Sequence, residues 1–184
     1  MRVIAGEFKG RQLKAVPGTA TRPTTDKVKE AVFQMMGPFF DGGVVLDLFA
    51  GSGSLGIEAI SRGMDSGVFV DKSPKAIHTI SENIKMVKIE DKIELFRIDA
   101  VRALKAIAKR ALQFDLILLD PPYKKVEYDK VLTQIVESNL IKENGIIYCE
   151  HDGEDVLAES YGPLTLIRHE NYGGTIGISI YRRK

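Results

Sequence analysis

Four consecutive residues, Asp120-Pro121-Pro122-Tyr123, carry the chemistry that stands out most clearly in the sequence. They follow the apolar run Phe114–Leu119, whose length and bounding turn residues predict a buried β-strand. The two prolines lack an N–H and have a fixed φ, so the strand has to end there. A carboxylate beside a carbonyl suits a group with two N–H donors, and the tyrosine ring can stack on a flat base. The tetrapeptide therefore predicts a site for the exocyclic amine of a nucleobase, although a proline turn beside a surface tyrosine would look the same.

Composition bounds the class of protein. With 184 residues, 44% of them hydrophobic and 28% charged, the chain is typical of one globular domain. No apolar run approaches the roughly 20 residues that span a bilayer. The single cysteine, Cys149, excludes an internal disulfide and fits a reducing cytoplasm. The three histidines (His78, His151 and His169) lack ligand spacing, so no metal site is expected.

Charge is distributed unevenly along the chain. Residues 1–30 carry a net charge of +4, whereas the whole chain carries +1. A basic end on a near-neutral body is typical of a protein that binds a polyanion, but ordinary solvated side chains would give the same count. The basic residues of this segment are Arg2, Lys9, Arg11, Lys14, Arg22, Lys27 and Lys29.

The order of apolar segments predicts an α/β fold. Residues 1–5 and 12–16 predict a small β-hairpin, and Asp26–Met36 predicts an amphipathic helix capped by Thr25 or Asp26. From residue 44 onward strands and helices alternate, which predicts a parallel sheet covered by helices on both faces. Residues 164–169 and 175–182 then predict an antiparallel hairpin. The intervening strands are predicted at 44–49, 67–70, 93–98, 114–119 and 145–150, and the helices at 55–62, 74–87, 101–110, 127–139 and 154–161.

A glycine-rich segment lies between the first of these strands and its helix. Residues 51–56 match the pattern G-x-G-x-x-G, and Asp71 follows about 20 residues later, as in dinucleotide-binding proteins. On this basis an NAD-dependent oxidoreductase is one interpretation. Asp47 argues against it, because an acid beneath the glycines opposes a pyrophosphate but can help order a loop that meets a cationic cofactor. The chain also gives no sign of a dehydrogenase-like substrate domain.

Taken together, these motifs resemble a known family. Asp47–Gly53, Asp71, Asp99 and Asp120–Tyr123 resemble, in order and spacing, the class I S-adenosylmethionine-dependent methyltransferases that act on amino nitrogens. The Arg-Val-Ile-Ala-Gly opening, Gly10-Arg11, residues 22–30 and the C-terminal hairpin are similar to one branch, the bacterial 16S rRNA guanine-N2 methyltransferases of the RsmD type. The resemblance covers nearly the whole chain. It implies a single domain over 1–184, with a hairpin and helix at 1–40 and a Rossmann-like core at 41–184. The core's mostly parallel sheet would end in an antiparallel hairpin.

The resemblance also implies roles for individual residues. Asp71 would accept the ribose hydroxyls, and Asp99 would meet the adenine amine, although both could instead be helix caps. Asp120 and the Pro121 carbonyl would hold the guanine N2 amine, and Tyr123 would stack on the base. The implied cofactor residues are Asp47, Gly51, Ser52, Gly53, Asp71, Lys72, Asp99, Ala100 and Asp120. The implied catalytic residues are Asp120, Pro121, Pro122 and Tyr123, and the implied RNA contacts are Lys9, Arg11, Lys14, Arg22 and Thr24.

The resemblance therefore implies a cytoplasmic monomer that uses S-adenosylmethionine and no metal. Its partner would be 16S rRNA in an assembled or assembling small subunit. Several alternatives share part of the pattern. DNA adenine-N6 methyltransferases share Asp-Pro-Pro-Tyr but usually have a separate recognition domain. Protein glutamine methyltransferases have Asn in place of Asp120. A non-catalytic RNA-binding protein would keep the basic hairpin but would not need the glycine loop.

Overall fold

The computed structural model describes residues 1–18, 25–122 and 126–184. The chain forms two compact units, Met1–Ala100 and Val101–Lys184. The division into an extension over residues 1–40 and a core over residues 41–184 remains a prediction. Across the described ranges, no helix is long and apolar enough to cross a membrane.

The first unit is built on three parallel strands. β2 lies between β1 and β3 and is hydrogen-bonded to both. Val45, Leu46 and Phe69 have no exposed surface, as expected for parallel strands covered on both faces. This part of the predicted strand–helix alternation is confirmed. The elements are α1 (Asp26–Met36), β1 (Val44–Asp47), α2 (Ser54–Ser61), β2 (Ser66–Asp71), α3 (Pro74–Met86), a single 3-10 turn (Glu90–Lys92) and β3 (Ile93–Arg97).

Side-chain caps explain where two of these helices begin. The Thr25 hydroxyl accepts a hydrogen bond from the Val28 N–H at 3.3 Å, which satisfies one of the free donors of the first turn of α1. In the same way, Ser73 accepts a hydrogen bond from the Ala76 N–H at the start of α3, where Pro74 occupies the first helical position. The predicted bounds of α1 are therefore confirmed.

The second unit combines parallel and antiparallel pairing. β4 and β5 are parallel, while β8 lies antiparallel between β5 and β7. β6 is a short strand that pairs with β7. The predicted C-terminal hairpin is confirmed as β7 and β8. The elements are α4 (Ala100–Lys109), β4 (Phe114–Leu119), α5 (Tyr128–Glu137), β5 (Ile141–Asp152), β6 (Ser160–Tyr161), β7 (Leu164–Tyr172) and β8 (Ile176–Arg183).

The sequence prediction is wrong for residues 154–161, which form no helix and end in β6. The backbone of Gly153, the residue immediately before this segment, bonds to the β7–β8 hairpin. The Gly153 N–H donates to Thr175, and the Gly153 carbonyl accepts from the Asn171 side chain at 2.8 Å. β5 is also longer than predicted and begins at Ile141, which pairs with Phe114 across an irregular register. In both places long-range pairing overrides local propensity.

The N-terminal segment forms the predicted hairpin, although its regular pairing is limited to one bridge between Arg2 and Gln12. Backbone bonds from Val3 to Arg11 and from Leu13 to Met1 hold the two arms together. An isolated two-stranded hairpin is marginally stable in water, so its stability has to come from docking.

The hairpin docks on a carboxylate, Glu58 of α2, which has no exposed surface. Its two oxygens accept hydrogen bonds from the N–H groups of Ile4 at 2.9 Å and Ala5 at 3.1 Å. Arg62 donates to the same carboxylate at 2.7 Å, and the Lys29 ammonium lies 3.4 Å away. Burial lowers the pKa of Lys29, and the nearby Glu58 carboxylate partly offsets this. The charges are paired and hydrogen-bonded, which is the condition under which buried ions are tolerated.

Glu58→Ala should therefore lower the free energy of unfolding by about 3–5 kcal/mol, because it leaves two buried cations without their carboxylate. Glu30→Ala is the matched control, since Glu30 also pairs with Arg62, at 3.4 Å, but its side chain is 43% exposed. That variant should lose no more than about 1 kcal/mol. Urea denaturation of both variants measures the difference. Equal losses would show that the buried network is unimportant for stability.

Candidate active site

The glycine loop follows β1 and leads directly into α2. Gly51 and Gly53 both have positive φ, 58° and 82°, which side-chain-bearing residues rarely adopt. A Cβ at Gly51 would meet no atom within 4 Å, so the loop presents bare backbone to open space there. The Gly53 N–H bonds back to the Ala50 carbonyl at 2.7 Å and closes the turn. The loop has the form needed for close approach of a ligand.

Asp71 lies at the carboxyl end of β2 and is tied to this loop. Its Oδ2 accepts a hydrogen bond from the Gly51 N–H at 2.9 Å, and its Oδ1 accepts one from the Ser73 N–H at 2.9 Å. A carboxylate offers about four acceptor positions, so two remain for further donors. The structure thus ties Asp71 directly to the glycine loop, a contact that was not predicted from the sequence. Its role toward ribose hydroxyls stays a prediction.

Asp99 and Ala100 lie just beyond β3. The Ile98 N–H bonds to the Asp71 carbonyl at 3.1 Å, so the ends of β2 and β3 meet at the same edge. Asp99 precedes α4 and Ala100 is the first residue of that helix. The predicted ribose acid therefore ends β2, and the predicted adenine acid follows the adjacent strand β3. Lys72, also predicted near the cofactor, is exposed beside Asp71.

Asp47 is the last residue of β1 and is 1% exposed. Its Oδ2 accepts from the Gly56 N–H at 3.1 Å, whereas Oδ1 is buried and has no hydrogen-bond partner within the described part of the chain. Burial raises the pKa of Asp47 to about 7, the Gly56 hydrogen bond opposes this, and the charge of Asp71 adds to it. An orphaned carboxylate oxygen beneath a glycine loop is an acceptor that suits a cationic ligand.

These residues fit the group that the sequence predicted. The open backbone of the glycine loop suits the methionine part of S-adenosylmethionine. The Asp71 carboxylate bound to this loop suits the ribose, and the buried acceptor of Asp47 suits the ammonium group. A pyrophosphate would meet Asp47 and Asp71 as like charges. No group of three or more histidine, cysteine, aspartate or glutamate side chains could hold a metal ion in the ranges that the structure describes.

Asn83 fixes the glycine loop, although its role was not predicted from the sequence. Asn83 of α3 has no exposed surface, and its Nδ2 donates to the Ser52 carbonyl at 2.9 Å and to the Lys14 carbonyl at 3.0 Å. Its Oδ1 accepts from the Lys14 N–H at 2.9 Å. One amide therefore links the N-terminal hairpin to the middle of the glycine loop. The signal in the sequence is an asparagine among apolar residues, Ile80 and Ile84, of one helix face.

The basic residues of the hairpin differ in their surroundings. Lys9 is exposed in the turn. Arg11 is exposed and donates to the Met86 carbonyl at 3.3 Å, while Lys14 lies 2.5 Å from Glu82. Arg22 and Thr24, the other predicted RNA contacts, lie outside the described residues. Three of the five predicted contacts therefore share one exposed hairpin.

The second unit contains the predicted catalytic residues. β4 has four fully buried residues before Asp120, and Asp120, Pro121 and Pro122 follow without regular pairing. Pro121 is buried and Pro122 is exposed, while Tyr123 lies outside the described residues. The predicted end of the strand is confirmed. A carboxylate and the carbonyl of the next residue therefore stand at the tip of β4.

Beside this tip lies a second acid that sequence analysis did not predict. Leu119 pairs with Cys149 in the parallel register of β4 and β5, so Asp120 and Glu150 follow at the same level. Glu150 is 6% exposed, lines a small pocket with Pro121 and Pro122, and accepts a hydrogen bond from the Tyr148 hydroxyl at 3.2 Å. Its signal in the sequence is an acid at the end of the next predicted strand.

Comparison with known proteins identifies the family of this chain. The model of the family described as "Conserved hypothetical protein 95" matches residues 1–182. The chain belongs to this family. The protein named "Putative rRNA methyltransferase YlbH" of Bacillus subtilis is 53% identical over 184 residues, which cover all of both chains. "Ribosomal RNA small subunit methyltransferase D" of Haemophilus influenzae is 31% identical over 99% of this chain and 92% of its own.

Solved structures agree with the fold. A "conserved hypothetical protein" of Streptococcus pyogenes superimposes with a TM-score of 0.81 and 39% identity over 85% of this chain and 96% of its own. The chain is a methyltransferase, and the cofactor predicted from the sequence, S-adenosylmethionine, is confirmed for its family.

The raised pKa of Asp47 predicts that the affinity for S-adenosylhomocysteine, the product formed from the cofactor, depends on pH. We expect the ionised carboxylate to attract the ammonium group, so the affinity for S-adenosylhomocysteine should rise about tenfold from pH 6 to pH 8. In the absence of ligand, a rise in pH has the opposite effect, because it lowers the contribution of Asp47 to the stability of the folded protein. Because the pKa in the folded protein exceeds its unfolded value, this group's contribution to stability falls as pH rises from about 4 to about 7.

The Asp47→Asn variant should bind S-adenosylhomocysteine more weakly, and its affinity should not change with pH. Its free energy of unfolding should also vary less with pH than that of the wild type. Asp65→Asn is the control, because Asp65 accepts from the Gly43 N–H outside the loop. Calorimetry at four pH values measures the affinities. Identical pH profiles for wild type and Asp47→Asn would exclude the carboxylate as the source.

Proposed function

We propose that this methyltransferase transfers a methyl group from S-adenosylmethionine to the exocyclic N2 amine of a guanine in 16S rRNA. The single observation that carries the proposal is the end of β4, where the Asp120 carboxylate is followed at once by the Pro121 carbonyl. These are two acceptors for the two N–H groups of one amine. The names of the relatives from Bacillus subtilis and Haemophilus influenzae favour rRNA as the substrate.

The cofactor residues belong to the first unit. In a Rossmann-like class I methyltransferase, the backbone of Gly51, Ser52 and Gly53 would contact the methionine part, Asp71 would accept the ribose hydroxyls, and Asp99 the adenine amine. The bond from the Gly51 N–H to Asp71 supports this, because it holds loop and carboxylate in one geometry. Bound S-adenosylmethionine supplies a methyl group that its sulfonium has already activated for transfer.

The task of Asp120 and Pro121 is to prepare the amine. The nitrogen lone pair of guanine N2 is delocalised into the ring, which makes it a poor nucleophile. Hydrogen bonds from its two N–H groups to the Asp120 carboxylate and the Pro121 carbonyl favour a pyramidal nitrogen with an available lone pair. The negative charge of Asp120 also stabilises the positive charge that develops there. The excess proton can then pass to this carboxylate, so no deprotonation is needed before attack.

RNA rather than duplex DNA suits this arrangement. An exocyclic amine inside a duplex has to be flipped out of the stack, whereas an unpaired RNA base is already accessible. Tyr123 is proposed to stack on that base. The exposed hairpin with Lys9 and Arg11 supplies positive charge for the phosphate backbone.

Mapping methyl groups in rRNA tests the function directly. Small-subunit rRNA from cells that lack the gene should miss one N2-methylguanine, and a plasmid with the wild-type gene should restore it. Asp120→Asn should fail to restore it, because its amide carries no charge and can turn a donor toward the amine. In single-turnover assays its rate should fall about 10²–10⁴-fold. Loss of a different modification, or of none, would contradict the proposal.

The hairpin gives a second prediction. Lys9→Ala should weaken RNA binding and lower the slope of log affinity against log salt by about 0.7–0.9, one phosphate contact. Lys14→Ala is the matched comparison and should lower the slope less, because Glu82 already pairs with this ammonium. Fluorescence anisotropy over a salt series measures both. Equal slopes for wild type and a Lys9→Ala, Arg11→Ala double variant would show that the hairpin does not bind RNA.

A further inference from the structure

Glu150 lies next to Asp120 but has no role in the proposed reaction. In the parallel register of β4 and β5, Leu118 lies opposite Tyr148 and Leu119 opposite Cys149. Neighbouring strands are about 4.8 Å apart, and paired residues on parallel strands point to the same face. Asp120, just beyond the end of β4, and Glu150, within β5, therefore lie at one level, and their side chains are expected on the same face.

Two tyrosines hold this arrangement. The Tyr128 hydroxyl of α5 donates to the Glu150 carbonyl and lies 3.3 Å from the Leu119 carbonyl, so it links the end of β4 to β5. The Tyr148 hydroxyl donates to Glu150 Oε1 at 3.2 Å. Burial raises the pKa of Tyr148 well above its usual value, and the charges of Glu150 and Asp120 raise it further.

An acid beside the amine site matters for the choice of base. Guanine carries its N1–H next to the N2 amine, so it presents a row of donors on one edge. In adenine the ring nitrogen next to the amine is an acceptor, and the same is true of cytosine. Asp120 and the Pro121 carbonyl accept from an exocyclic amine of any of these bases and cannot tell them apart. A second carboxylate beside them can distinguish guanine from the other two bases, because it attracts a ring N–H and repels a ring lone pair.

We propose that Glu150 accepts the guanine N1–H and makes the enzyme specific for guanine. This inference rests on the proposed function and adds the group that selects its substrate. The hydrogen bond from the Tyr148 hydroxyl to Oε1 holds the Glu150 carboxylate in a fixed orientation. Sites built to hydrogen-bond one donor reject analogues that lack it, because a buried acceptor is left facing a lone pair.

An RNA with 2-aminopurine at the mapped target position tests this atom by atom. 2-Aminopurine keeps the amine at C2 but has no hydrogen on N1. In single-turnover assays with saturating S-adenosylmethionine, the wild-type enzyme should methylate guanine about 100-fold faster than 2-aminopurine. Glu150→Gln can donate its amide to the unprotonated N1, so this preference should fall at least tenfold. The loss of O6 in 2-aminopurine affects both enzymes alike and cancels in the comparison.

Two further variants separate recognition from stability. Asp155→Asn changes another acid that lines the same pocket and should keep the wild-type preference. Tyr148→Phe removes the bond that orients Glu150 with almost no change in volume, and should give an intermediate preference. Binding of S-adenosylhomocysteine confirms that each variant is folded.

The outcomes distinguish this inference from the proposed function. No transfer to guanine by the wild-type enzyme would overturn both. Transfer with the same preference in wild type, Glu150→Gln and Tyr148→Phe would overturn the role of Glu150 alone, since a merely structural residue would slow both substrates in proportion. A collapsed preference in Glu150→Gln with Asp155→Asn unchanged is the expected result.

Discussion

The first unit depends on one buried carboxylate. Glu58 lies on α2, the helix that continues the glycine loop, and it takes hydrogen bonds from the backbone of Ile4 and Ala5. The hairpin, the helix and the loop therefore share one anchor. A small hairpin could not hold a fixed position through its own pairing, because two-stranded hairpins are marginally stable. Its place beside the cofactor loop follows from satisfying a charge that burial would otherwise make very unfavourable.

A second buried amide extends this coupling. Asn83 bonds to both Lys14 and the Ser52 carbonyl, so the hairpin contacts the glycine loop directly as well as through α2. The surface proposed to bind RNA and the loop proposed to bind cofactor are thus parts of one packed structure. Asp47 differs from Glu58 and Asn83 because its hydrogen bonding is incomplete. Its buried Oδ1 has no partner in the part of the chain that the structure describes, which is typical of a group whose partner is a ligand.

The second unit depends on strand register. Pairing of Leu119 with Cys149 sets Asp120 and Glu150 side by side, and the Tyr128 hydroxyl links the Leu119 carbonyl of β4 to the Glu150 carbonyl of β5. A shift of one residue would turn one of the acids to the opposite face. The proposed division of labour, with Asp120 on the amine and Glu150 on the neighbouring ring N–H, exists only in this register.

The sequence by itself determined the alternation of strands and helices, the end of β4 at its prolines, and the positions of Asp71 and Asp99 at the ends of successive strands. These features depend on local apolar runs, on missing N–H groups and on the rule that parallel strands end at one edge. Only the tertiary structure decided that residues 154–161 form no helix, since the backbone of Gly153, immediately before them, bonds to the β7–β8 hairpin. It also decided the roles open to Asn83 and Glu150. Their partners lie far away in the sequence or on a neighbouring strand, and no local pattern encodes such contacts.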